Sequence, residues 1–87
     1  MEDILTDELR LTDAPARQKL KIKRIDAGIN AKRRLNSMGF HAGDILVRLT
    51  NGKWGPVLVQ NISNNSSKIA LGKGLAVKVI IEIAENG

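Results

Sequence analysis

At 87 residues the chain is sized for one domain with a small core, and it has no cysteine to staple that core. The absence of cysteine excludes a disulfide framework and a thiolate metal site, as expected of a reducing compartment. A formal net charge of +5, no apolar run near the roughly 20 residues of a membrane span and an acidic start predict a cytoplasmic protein without membrane insertion.

The charge is uneven. Residues 1–13 hold five acids and one base, residues 14–34 eight bases and one acid, and the remainder five bases and three acids. A basic segment of this kind suits nucleic acid, an anionic membrane surface or an acidic protein face, or is a solvated surface.

Residues 1–18 match no period cleanly. Ile4, Leu5, Leu9 and Leu11 are apolar, a frayed turn can open at Thr6 or Asp7, and Pro15 interrupts it. The expectation is a mobile N-terminal arm over 1–18, with the domain proper at 19–87. From Lys19 the period becomes two: Leu20 and Ile22 alternate with Lys19, Lys21 and Lys23, a strand with one wet face. Ile25 breaks the alternation, which predicts a bulge near Arg24. Asp26 to Gly28 then turns the chain.

Asn30 to Met38 reads as a short helix with Asn30 as its N-cap. Ala31, Leu35 and Met38 share one face, and Lys32, Arg33 and Asn36 fall away from it. Gly39 suits the left-handed position after the helix, and Phe40 is then placed to touch Leu35 in a Schellman stop. So short a helix is unstable alone and needs an apolar surface under Leu35 and Met38.

Ala42-Gly43-Asp44 leads into a strand in which Ile45, Val47 and Leu49 share a face. Asn51-Gly52 is a tight-turn signal, and Pro56 opens a strand over residues 57–62. Ser63 to Ser67 is a polar hairpin loop before a strand over 68–71. Gly72 to Ala76 makes a bend or one helical turn, and residues 77–83 close as a strand with Val79, Ile81 and Ile83 on one side. Five short strands and one helix favour an all-β small barrel, because curling buries one face and removes most of the edges. The helix then plugs an open end.

Arg34-Leu-x-x-Met-Gly-Phe-x-x-Gly-Asp44, Gly55-Pro56-Val57 and Ile69-Ala-Leu-Gly-x-Gly-x-Ala76, in that order, resemble the FeoA family, the small cytosolic component of bacterial ferrous iron uptake. The resemblance covers residues 19–83. It implies a barrel like that of Src-homology-3 (SH3) domains and a partner, the FeoB membrane iron permease with its cytosolic GTPase domain. It also implies kinship with the C-terminal module of metal-dependent repressors. Many family members carry an arginine where this chain has Gly72 and an acid where it has Leu75.

Against that background Lys32, Arg33, Arg34, Leu35, Met38 and Trp54 are the candidate partner-binding residues. Arg33 and Arg34 would steer an acidic surface. Leu35 and Met38 either fix the helix to the barrel or face the partner. Trp54 either stands exposed as an interface anchor or folds over the barrel mouth. His41 and Asp44 offer two of the three or four ligands a transition-metal site needs, so a weak site for iron or zinc is their limit. No cofactor is expected, and self-association is left open.

Gly72-Lys73-Gly74 fails the phosphate-loop pattern, since Ser67 and Gly74 occupy its outer positions. Nucleic acid is the main rival partner, through Lys19, Lys21, Lys23, Arg24 and the helix cations. Phe40 and Trp54 are too few for a stacking platform, and Gly52-Lys53-Trp54-Gly55 lies between strands where a KH loop needs helices. Asp26 and Asp44 are the acids of the compact part before Glu82, and no catalytic spacing emerges, so no enzyme is expected.

Overall fold

Alternation over Lys19–Ile25 sends Leu20 and Ile22 inward and the intervening lysines outward, and the rest of the fold is built in register with that strand. The structure is a computed structural model and describes residues 8–52, 54–63 and 67–84. Along the chain come β1 (Leu9–Arg10), a 3-10 turn (Leu11–Asp13), β2 (Lys19–Ile25), α1 (Ile29–Ser37), β3 (Ile45–Arg48), β4 (Val57–Asn61), β5 (Lys68–Leu71), α2 (Lys73–Ala76) and β6 (Val79–Ile83). The strands form one six-stranded antiparallel sheet in the order β1-β6-β2-β3-β4-β5. The sheet curls around a core that includes Leu20, Ile22, Leu46, Val59, Leu71 and Ile81. Its two end strands are not paired with each other. Instead α2 packs against both β5 and the 3-10 turn, across the seam.

The expected bulge is present. Ile22 pairs with Ile81 and Arg24 with Ile80, so Lys23 is the extra residue. This restores inward orientation at Ile25, which pairs with buried Val79. The side of β6 carrying Val79 and Ile81 faces the core as expected. Ile80, outside the main cluster, is also buried; it lies in register between Arg10 and Arg24, which are tied to Asp26 and Glu8.

The helix stop also forms as read. Gly39 has φ +98°, the Phe40 N–H donates to the Leu35 carbonyl at 2.9 Å, and the Gly39 N–H donates to the Asn36 carbonyl at 3.0 Å. These are the two bonds of a Schellman motif, and Leu35 and Phe40 are both in the core. The start differs. Gly28 is the N-cap, with no side-chain bond, and its carbonyl accepts the Lys32 N–H at 3.0 Å, which leaves Asn30 inside the first turn.

Residues 9–14 are built into the domain, which corrects the arm assigned to 1–18. Leu9 and Arg10 pair with Ile81 and Ile80, and Leu11 is fully buried. The reason is twofold: β1 pairs the side of β6 that would otherwise be an open edge, and Leu11 buries its side chain in the core where the 3-10 turn packs on α2 and β6. The turn suggested at Thr6 or Asp7 lies outside the described residues, as do residues 64–66 of the hairpin loop. The strand beyond the five expected is β1, Leu9–Arg10.

The inward face of β3 is corrected too. Leu46 and Arg48 point to the core, and Ile45 and Val47 are half-buried. Directly opposed residues in an antiparallel pair share a face. Leu46 opposes buried Leu20 and Arg48 opposes buried Val59, so register carries the arginine inside.

Candidate functional site

Helix α1 is held from below and bare above. Leu35 is 0% exposed and Met38 is half-buried against the core, while Lys32, Arg33 and Arg34 are exposed. Leu35 is thus buried in this conformation and fixes the helix to the barrel, the first of the two roles open to it. The side chains of Lys32, Arg33 and Arg34 make no ion pair with any acid among the described residues.

The basic strand is different. Arg24 donates to both carboxylate oxygens of Glu8 at 3.0 Å, Lys23 lies 3.6 Å from Glu82 and 3.8 Å from Glu8, and Arg10 lies 3.4 Å from Asp26. Lys23 and Arg24 of β2 are thus matched within the domain, while Lys19 and Lys21 are not matched by any described acid; on α1 all three cations, Lys32, Arg33 and Arg34, stand bare. Each of these pairs is solvent-exposed and adds little stability.

The three helix cations do not act at one point. Arg34 lines a groove of about 580 Å³ between α1 and α2, with Ala31, Gly72, Gly74, Leu75 and Lys78. Lys32 lies on the opposite flank, in a groove of about 440 Å³ with Arg24, Asn36 and His41. Trp54 is 89% exposed at the β3–β4 connection, so it does not cover the barrel mouth. The Lys73 ammonium, on α2, sits 5.4 Å from its ring centroid, within cation–π range. Helix α2 therefore joins the Arg34 flank to Trp54. Gly72, Leu75 and Lys78 escaped the sequence reading as site residues because nothing in their spacing marks them. Gly72 and Leu75, the two positions where the resemblance implies a different residue in many members, both line this groove.

His41 and Asp44 are used structurally. One Asp44 carboxylate oxygen accepts from the His41 N–H and from the Asn61 side-chain amide, both at 2.9 Å, and lies 3.7 Å from His41 Nδ1. The Asn61 amide also donates to the Gly39 carbonyl at 2.9 Å. This network fixes the exit of the helix against the end of β4. As a donor set for zinc or iron it does not fit: it has two candidate ligands, one already committed, and no group of three histidines or carboxylates gathers among the described residues.

The model of the FeoA domain family matches residues 9–83. The chain is 47% identical over 66 residues to the "Putative Fe(2+) transport protein A" of Methanocaldococcus jannaschii, covering 76% of each. It superimposes on the crystal structure of an iron uptake regulatory protein, FeoA, with a TM-score of 0.78 and 27% identity, covering 88% of this chain and 99% of that one. It shares the fold of the FeoA of Stenotrophomonas maltophilia, described as a prokaryotic SH3 domain protein complexed with zinc, at a TM-score of 0.69 and 24% identity over 85% and 89% of the two chains.

Proposed function

We propose that this chain, which belongs to the FeoA family, is a non-enzymatic cytoplasmic accessory protein of ferrous iron uptake that binds the cytosolic region of a FeoB-like membrane transporter. The observation that carries the reading is the bare cationic face of α1. Lys32, Arg33 and Arg34 stand exposed and unmatched by described acids on a helix whose underside, Leu35, is locked in the core. A surface of this kind is preformed: binding needs no refolding, and the charges raise the encounter rate with an acidic partner. No helix among the described residues is long and apolar enough to cross a membrane, so contact with the transporter is read as peripheral.

Bound metal has no role in this reading. The zinc of the Stenotrophomonas protein is that protein's ligand, and the committed Asp44 carboxylate argues against a tight site here. Nucleic acid is less well supported than protein, since Glu8 and Glu82 already engage Lys23 and Arg24.

The test is binding of the full chain to the cytosolic region of the transporter. Arg33→Glu with Arg34→Glu should weaken it by about tenfold or more while the melting temperature stays put. Unchanged affinity means that α1 is the wrong face. Salt-sensitive binding of duplex DNA or RNA at physiological ionic strength, with none to the transporter, moves the assignment to nucleic acid.

A further inference from the structure

We infer that the groove between α1 and α2 receives an acidic segment of the partner protein, seating one apolar side chain between Ala31 and Leu75 with carboxylates against Arg34 and Lys78. This rests on the reading above and locates the contact within it. The groove, at about 580 Å³, has room for side chains of a peptide. Its lining is mostly apolar, with Ala31 and Leu75 each half-buried along it.

Two glycines bound it without a conformational need to be glycine. Gly72 has φ −62° and ψ 157°, which any residue adopts, and Gly74 lies inside α2. A Cβ built on either meets nothing within 4 Å. Glycine within a helix is worth roughly 1 kcal/mol less than alanine. Local stability is therefore lower than it need be, and the result is an open wall of bare backbone that another chain can approach closely.

The charges select the occupant. Arg34 stands on the α1 wall and Lys78 on the other, with no acidic partner for either among the described residues and no acid among the groove's lining. A nucleic-acid backbone satisfies the cations and leaves the apolar lining uncovered. A polypeptide with an apolar residue between acids satisfies both.

The experiment titrates the full chain with a dye-labelled acidic hexapeptide carrying two central leucines, with its counterpart carrying two serines, and with the transporter's cytosolic region. The leucine peptide should bind at least about tenfold more tightly than the serine peptide, as for a buried apolar anchor. Gly74→Leu fills the groove with a good helix former. It should weaken both the leucine peptide and the transporter by about tenfold or more, with the melting temperature unchanged or raised. Arg34→Glu should weaken both as well.

If Gly74→Leu and Arg34→Glu bind the transporter as the parent does, the groove is overturned and the broader reading survives. Equal binding of the two peptides, abolished by high salt, reduces the site to diffuse charge attraction and also overturns it. Failure of the parent chain to bind the transporter at all removes the broader reading and this inference with it.

Discussion

The guanidinium of Arg48 donates to the carbonyl of Ala14 at 3.0 Å, a bond between residues 34 apart in the chain. The same nitrogen reaches the carbonyl of Thr12 at 3.0 Å and that of Leu11 at 3.4 Å, and the other terminal nitrogen reaches Gly52 at 2.8 Å. Arg48 is 5% exposed, and its Nε has no partner. Its charge is solvated by backbone carbonyl dipoles in place of water. In return it ties the N-terminal turn to the connection that carries Trp54.

Arg48→Met keeps the bulk of the stem and removes the donors. Several buried or half-buried carbonyls then lose their partner, at a cost of about 2–4 kcal/mol to the fold. Urea unfolding followed by circular dichroism measures it. A change under about 0.5 kcal/mol would mean that water enters and takes over the carbonyls.

Leu11→Ala empties a fully buried position in a segment that reads locally as a loose end. The expected destabilisation is about 2–5 kcal/mol, the range for deleting a core leucine side chain. The unfolding midpoint of the variant checks this, and an unchanged midpoint would return residues 9–14 to the status of an appendage.

Leu35→Gln places an amide where the core offers it no partner. The helix should detach or the domain unfold, with a loss of roughly 3 kcal/mol or more. Thermal melts separate this from a binding defect. A variant that melts like the parent and fails only to bind the transporter would make Leu35 a contact after all.

Isothermal titration of the monomer with zinc or ferrous ion should show nothing tighter than about micromolar, since two ligands, one committed to its own turn, cannot close a tetrahedron. A one-to-one nanomolar isotherm lost on His41→Ala would overturn the structural role assigned to this turn.

Much of the candidate site was legible. The glycine stop after α1, its exposed cations and the bulge near Arg24 follow from local rules, because capping, helical spacing and two-residue alternation act over a few neighbours. The groove was not legible. Arg34 and Lys78 meet through the path of the chain between them, and no spacing rule spans that distance. The start of α1 was misread for a related reason: Asn30 is a good cap in isolation, but the helix begins where the Gly28 carbonyl first accepts.

Two arginines mark the division. Arg33 lies on the helix face away from Ala31, Leu35 and Met38, and its exposure can be read from that spacing. Arg48 sits in a strand whose alternation permits either face, and strand alternation by itself does not say which face is inward. Pairing with Leu20 and Val59 chose that face, and the carbonyls of the N-terminal turn made an interior charge tolerable. Local pattern determined the elements and the cationic helix face. Packing between distant segments decided which side of β3 was buried, that residues 9–14 belong to the domain, and where the groove opens.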